Sequence, residues 1–382
     1  MKRTLYILAL GIFGIATTEF GVIGILPQIA TAFDVTIEKA GWLLSSFALI
    51  VAFFGPFLML LLSSFNRKKL MLFVLAVFAI SNILSIMAPT FNMLLFARIL
   101  PAFLHPIFWS IALSTASTIL PAEQSPKAVG IVFGGFTIAS VFGIPLATLM
   151  ADLYNWQASF VLCAVVNILS FFGMLFLLPA TPKVEKQTLG SQIKILKKPL
   201  LWISFALSCF MIASMYSTYG YISDYLGKIT KMNGTKISLM LFFFGITGVV
   251  GNWVAGKFLS KSILLTTLVF IIALALVHTL LYFCGFYFFP MVIMVALWGF
   301  VHTSGFLISN INFISSAEEA PEFVNSIFTT CGNLAVTIGS LIGGFWITHF
   351  SIHNVVWSSV LLLFSALIAW FIKRYVVGIS GR

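Results

Sequence analysis

The sequence predicts an all-α integral membrane protein: twelve transmembrane helices in two pseudo-symmetric six-helix bundles, with both termini cytoplasmic. Three observations predict it. Of 382 residues, 60% are hydrophobic and 8% charged, against about 25% charged in soluble domains, and the mean hydropathy is +1.11. The apolar runs are long enough for helices to cross a ~30 Å hydrocarbon core, and too long for the ~10-residue alternating strands of a membrane barrel. The basic residues gather in short clusters between those runs.

Taken in order, the apolar runs predict spans at 4–29, 41–64, 70–88, 91–119, 128–151, 156–178, 200–223, 237–259, 262–284, 287–313, 323–349 and 354–374. The polar, Pro-flanked stretch PATPKVEKQTLGSQIKILKKP at 179–199 separates six spans from six. The expected organisation is an N-terminal bundle at 1–180, a cytoplasmic linker at 181–199 and a C-terminal bundle at 200–382. Lys2 and Arg3 ahead of an apolar stretch, with Ala30-Thr31-Ala32 after it, resemble a secretion signal. The stretch exceeds the length of a signal core and contains Glu19 and Pro27, so it is expected to stay as the first span.

Charge sets the orientation. With the N-terminus inside, Lys39, Lys228, Lys231 and Lys236 fall outside, Arg98 lies within a span, and the other sixteen basic residues fall inside. That bias predicts cytoplasmic termini. It also removes the nucleic-acid reading of the +11 net charge, because no continuous basic patch forms. Cys163, Cys209, Cys284 and Cys331 lie singly in apolar runs and read as small hydrophobes. No P-loop sequence occurs and no cofactor or metal is expected.

The halves repeat. Phe103-Leu104-His105 is matched by Phe300-Val301-His302, and Ala139 with Gly143 by Ala335 with Gly339. A duplicated six-helix unit predicts a substrate site near the bilayer midplane, where the copies face each other.

Two charged residues lie well inside spans, and an ion in hydrocarbon is a functional candidate. At 1.5 Å per residue, Glu19 lies ~22 Å into the first span and Arg98 ~10 Å into the fourth from the opposite side, so both fall at similar depth. The expectation is that the Glu19 carboxylate exchanges a proton and the Arg98 guanidinium beside it sets the affinity; a fixed ion pair joining the two spans is the alternative. Arg98, His105 and Trp109 are spaced to share one helical face, and Trp298, His302 and Ser309 make a comparable stripe. His105 is a candidate proton relay or substrate ligand, ranked above His302; His278, His349 and His353 carry no such expectation. Tyr216 and Tyr219 suit either a pocket for an amphipathic or hydroxylated molecule or an interfacial belt, and Trp202 and Tyr225, nearer the span ends, read as the belt. Thr17, Thr18, Asn310, Asn312 and Asn333 add hydrogen-bonding groups to the same cavity. Gly130, Gly134, Gly135, Gly143, Gly339, Gly343 and Gly344 mark close helix contacts, and Pro145 is expected to bend the fifth span.

Several segments resemble the major facilitator superfamily, and within it the drug:proton antiporters, especially bacterial sugar-efflux and arabinose-efflux transporters. They are TTEFGVIGILPQIA (17–30), NRKKL (66–70), ARILPAFLHPIFWSIA (97–112), GIPLA (143–147), NWQASF (155–160), YGYISDYL (219–226) and GITGVVGNWVAGK (245–257). The resemblance implies two bundles that rock to give alternating access, a central cavity lined by spans one, four, seven and ten, and proton-driven export. It places Glu19 as the acidic residue of span one and Arg98 as the arginine of span four. The sequence departs from the pattern at Ser63-Ser64-Phe65-Asn66, which lacks the usual Asp, at Ala139, at the displaced Pro145, and at Asp224 where Pro is common.

The expected activity is export of small sugars, sugar analogues or amphipathic drugs by proton antiport across the bacterial inner membrane. Glu19, Arg98 and His105 couple protons, and Thr18, Glu19, His105, Trp109, Tyr216, Tyr219, Trp298, His302 and Asn333 bind substrate. Arg67, Gly143 and Pro145 serve gating and helix packing. The expected partners are a small-molecule substrate, protons and the lipid bilayer, with the chain a monomer. A proton-coupled or facilitative importer of the same fold is the nearest alternative, and a solute-sensing receptor a more distant one. A membrane-embedded enzyme is disfavoured by the lack of a clustered catalytic set.

Overall fold

The computed structural model describes residues 2–62, 65–119, 124–178, 192–316 and 321–380. Ser63, Ser64, linker residues 181–191 and the acidic Glu318 and Glu319 lie outside the described residues. In hydrocarbon a backbone N–H or C=O finds no water, so each apolar run closes its hydrogen bonds within itself as a helix. Among the described residues, twelve helices are long and apolar enough to span a membrane. They are α1 (Arg3–Gly24), α2 (Ile37–Gly55), α3 (Arg67–Ile86), α4 (Phe91–Ala116), α5 (Lys127–Leu153), α6 (Trp156–Leu177), α7 (Pro199–Lys228), α8 (Gly234–Leu259), α9 (Ile263–Cys284), α10 (Phe288–Ile314), α11 (Ile327–His349) and α12 (Val355–Val377). Side-chain caps start several of them. Asn66, Thr90, Asn155 and Ser262 each accept from the backbone N–H three residues on, at 3.1, 3.3, 3.0 and 3.3 Å, which satisfies donors that a helix start leaves bare.

The chain forms two compact units, Met1–Lys186 with Asn233–Phe242, and Gln187–Met232 with Phe243–Arg382. The first ten residues of the α8 region therefore belong with the N-terminal unit, whereas the sequence predicts a division at the linker. Within that unit Thr235 Oγ1 donates to the Asp152 carboxylate at 2.6 Å and Ser238 Oγ to the Pro145 carbonyl at 2.7 Å.

Each unit is organised around its first span. The most apolar window of α1 is 78% buried and that of α7 61%, whereas those of α6 and α9 are 33% buried and face outward. Leu5, Leu8, Ile12 and Ile15 of α1 pack into a core with Phe47, Phe78 and Phe108. Each unit also ties its first span to its last by a polar knot. Thr18 on α1 meets Asn167 on α6 at 3.1 Å; Ser217 and Thr218 on α7 meet the Ser359 hydroxyl on α12 at 2.8 and 2.6 Å.

The sequence predicts continuous spans, and four of them are interrupted. α1 is helical to Phe20, tightens to a 3₁₀ turn over Gly21–Gly24 and resumes at Leu26. α4 breaks between Ala102 and His105, α7 between Tyr219 and Ile222, and α10 between His302 and Ser304. Pro101 accounts for the strain in α4: it has no N–H for the Ala97 carbonyl, and the Ser81 hydroxyl of α3 supplies a donor at 2.8 Å instead. In α5 the expected bend takes the form of a π-helical turn over Ala139–Gly143, with the Ile144 N–H reaching back to the Ala139 carbonyl immediately before Pro145.

Candidate functional site

α1 gives way to a 3₁₀ turn after Phe20, and Arg98 binds the backbone just before that change. Its Nη1 donates to the Thr18 carbonyl and its Nη2 to the Glu19 carbonyl at 3.0 Å. The guanidinium lies over the Phe47 ring, 5.4 Å from the centroid. A buried cation at a helix C-terminus is favoured by the macrodipole as well as by the hydrogen bonds. The expected contact between the Glu19 carboxylate and the guanidinium is therefore corrected: Arg98 holds the backbone of Glu19, and the side chain points elsewhere.

The carboxylate points to His105. Oε2 of Glu19 lies 2.9 Å from Nε2 of His105, with both side chains under 10% exposed. The same nitrogen accepts from Trp109 Nε1 at 3.0 Å, and the imidazole packs edge-on against Phe47 at 5.7 Å. These contacts carry a constraint, because an indole N–H is only a donor and an imidazole nitrogen offers either a lone pair or a proton. If Nε2 accepts from Trp109, a hydrogen bond with Glu19 needs a protonated carboxyl. If Nε2–H donates to an ionised Glu19, the indole N–H loses its acceptor. The two patterns exclude each other and, with a neutral imidazole in both, differ by one proton on the Glu19–His105 pair.

In the other unit the matching place is aromatic. Tyr219 stacks on Phe244 at 4.7 Å and meets His302 at 4.8 Å; Trp298 meets Phe244 at 5.5 Å and His278 at 5.4 Å. Tyr216 lies 5.9 Å from His302. The Nδ1 of His278 faces the Leu274 carbonyl at 2.9 Å, and a carbonyl only accepts, so Nδ1 carries the proton and Nε2 is an acceptor. That Nε2, Trp298 Nε1 and His302 Nδ1 are buried with no hydrogen-bond partner among the described residues. The box thus gathers ring faces, one N–H donor and an acceptor.

The sequence profile described as Major Facilitator Superfamily matches residues 8–322. The chain belongs to the major facilitator superfamily. It is 31% identical over 342 residues to an Inner membrane transport protein YdhP from Escherichia coli O157:H7, covering 88% of this chain and 87% of that one. It is 29% identical over 350 residues to a Probable sugar efflux transporter from Helicobacter pylori strain J99, covering 92% and 90%. In fold it is similar to a mutant of the nucleoside transporter NupG, with a TM-score of 0.76 at 14% identity over 97% of this chain and 98% of that one. This superfamily member is a transporter of small molecules and not an enzyme, and it is a multi-pass inner-membrane protein.

Within this superfamily member the other expected residues fall in several places. Asn333 is half-buried on α11, and its Nδ2 donates to its own helix at Thr329. Asn312 is fully buried in a separate cluster: its Nδ2 donates to Thr267 Oγ1 at 2.8 Å, and Lys373 Nζ donates to its Oδ1 at 2.8 Å. Lys373, counted from the sequence among the basic residues on the cytoplasmic side, is thus a buried group of α12. Tyr225 is buried with its hydroxyl on the Leu281 carbonyl at 2.9 Å and does not join an interfacial belt; Trp202 is half exposed and donates to the Leu196 carbonyl. Arg67 is half-buried at the start of α3. Gly143 presses on Thr17 across α1 and α5, whereas a side chain at Gly130 or Gly134 would meet nothing within 4 Å. Sequence reasoning missed Asn82, Asn167, Phe47 and the company of His278. A lone amide inside an apolar run was the available signal for the first two.

Proposed function

We propose that the protein exports small sugars, sugar analogues or amphipathic drugs in exchange for protons, by alternating access and as a monomer, with its termini in the cytoplasm. The observation that carries the reading is the Glu19–His105–Trp109 contact set, in which one nitrogen serves two mutually exclusive hydrogen-bond patterns. A site of that kind has two states that differ by a proton, which is what coupling to a gradient requires. One charge crossing ~100 mV is worth about 2.3 kcal/mol. The solute class is supported by the aromatic box of Tyr216, Tyr219, Phe244, Trp298 and His302, in which Trp298 Nε1 and His302 Nδ1 are buried with no hydrogen-bond partner among the described residues and suit a hydroxylated ring. It is also supported by relatives named as probable sugar efflux transporters. The orientation rests on the excess of Lys and Arg assigned to one side.

The test is solute movement in proteoliposomes with an imposed pH gradient, using labelled monosaccharides, a thiogalactoside and an amphipathic antibiotic. Accumulation driven by the gradient in wild type and lost in Glu19→Gln, with solute exchange retained in the variant, is expected. Movement that ignores the gradient overturns proton antiport and leaves facilitated transport.

A further inference from the structure

We propose that Asn82 and Asn167 are positioning residues of the proton site: from α3 and α6 they clamp Thr18 so that Arg98 stays on the carbonyls of residues 18 and 19 and leaves the Glu19 carboxylate to His105. The inference rests on the proton role of Glu19 given above, and assigns two residues that neither composition nor motif marks.

The geometry converges on one hydroxyl. Thr18 Oγ1 donates to the Gly14 carbonyl at 2.9 Å, one turn back along α1. It accepts from Asn82 Nδ2 at 3.2 Å and from Asn167 Nδ2 at 3.1 Å. Each amide is held in that orientation by its own helix, since Asn82 Nδ2 also donates to the Phe78 carbonyl and Asn167 Nδ2 to the Cys163 carbonyl, both at 2.8 Å. A carbonyl cannot donate, so neither amide can be turned over without loss. Both residues are almost fully buried, and both leave Oδ1 without a partner among the described residues. Unpaired buried amide oxygens are destabilising, and paired hydrophobic residues would pack α1, α3 and α6 without them. What the amides add is a fixed azimuth and height for Thr18 near the end of α1, beside the two carbonyls that Arg98 grips.

The alternative partner for the guanidinium is one residue away. Arg98 retains an unpaired Nε–H, and the Glu19 carboxylate belongs to the same residue whose carbonyl it holds. The titratable groups that face this set are Arg98 and His105 from α4 and the Cys163 thiol from α6, which reaches Thr18. α2 presents Phe47, α3 presents Asn82 and α5 presents Gly143, none of which titrates. Once the clamp is released, the one available rearrangement that brings opposite charges together is Arg98 onto an ionised Glu19. That arrangement stabilises the carboxylate and opposes proton uptake.

The experiment is a pH titration of the protonated-carboxyl infrared band in purified full-length protein, assigned to Glu19 by its loss in Glu19→Gln. Asn82→Ala and Asn167→Ala are compared with wild type, and Thr18→Val, which keeps the shape and removes the hydroxyl, serves as the variant least disturbing to folding. Each is expected to titrate at lower pH by about one unit, a tenfold loss of proton affinity, with the three shifts similar in size. An unchanged midpoint with lowered melting temperature would make the amides simple packing elements and overturn the proposal, as would the absence of a Glu19-dependent band in wild type. Because the band is read without transport, shifted titrations in variants of a protein that ignores pH gradients in vesicles would refute proton antiport and leave the positioning role standing.

Discussion

Nε2 of His105 stands 2.9 Å from Oε2 of Glu19 and 3.0 Å from Nε1 of Trp109. The indole can only donate, so it favours the arrangement in which the imidazole nitrogen keeps its lone pair and the carboxyl keeps its proton. Trp109→Phe preserves the ring contacts with Phe133 and Phe136 and removes the N–H. A hydrogen bond contributes about 0.5–1.5 kcal/mol net, so proton loading is expected to weaken by roughly two- to tenfold. The pH at which solute–proton exchange is half-maximal should then move acidward by up to about one unit. An unmoved profile would mean that the indole only fills space.

Arg98→Lys keeps the charge and loses the fork. A lysine ammonium carries its donors on one nitrogen and lacks the planar fork whose two nitrogens each meet one carbonyl here, so the contacts to the Thr18 and Glu19 carbonyls are weakened. Hydrogen bonds to charged groups are worth about 1.5–3 kcal/mol. The variant is expected to melt several degrees below wild type in detergent and to lose gradient-driven accumulation. A variant equal to wild type in both would show that charge alone matters at this position.

The glycines divide by what lies opposite. A Cβ at Gly339 would meet the Ala213 backbone, and one at Gly135 the Ala9 backbone, where nothing can yield. Overpacking of this kind costs about 1–3 kcal/mol, and Gly339→Ala and Gly135→Ala are each expected to lower the melting temperature. Gly130→Ala and Gly134→Ala meet nothing within 4 Å and gain about 0.5–1 kcal/mol of helix propensity. Thermal unfolding monitored by tryptophan fluorescence separates the pairs, and a uniform response across all four would contradict the contacts.

The twelve spans were legible because length and composition decide membrane insertion before any contact forms, and every later choice is made among helices already in place. The site was legible only in its charged members. Glu19 and Arg98 stand out because ions in hydrocarbon are costly, but the groups Arg98 binds are backbone carbonyls, which every residue has and no sequence displays. The helix breaks behave the same way. Pro101 hints at one in α4, while the end of α1 at Phe20 is visible only once Arg98 is seen to bind the backbone just before it. Asn82 and Asn167 look like any polar residue tolerated in an apolar run, since their meaning depends on facing the same hydroxyl from two different helices. His278 seemed isolated because its neighbour Trp298 is twenty residues away. Lys373, near the end of a span, looked like a topology signal because the sequence cannot tell a snorkelling lysine from one turned inward.

Lys373 is 2% exposed, and its ammonium donates to the Asn312 carbonyl at 3.0 Å and to Asn312 Oδ1 at 2.8 Å; it has no carboxylate within 4 Å among the described residues. Lys373→Met leaves Asn312 Oδ1 buried and unpaired, at a cost of about 1–3 kcal/mol. Asn312→Leu strips the ammonium of one of its two acceptors and the Thr267 hydroxyl of its amide partner, and a hydrogen bond to a charged group is worth about 1.5–3 kcal/mol. In the double variant neither penalty stands alone, because methionine and leucine can pack together where the ammonium and amide met. The double variant is therefore expected to be no less stable than Asn312→Leu, giving a coupling energy of about 1–3 kcal/mol in a denaturant-unfolding cycle. Additive losses would instead mean that Lys373 and Asn312 act independently, with the ammonium reaching water at the membrane surface.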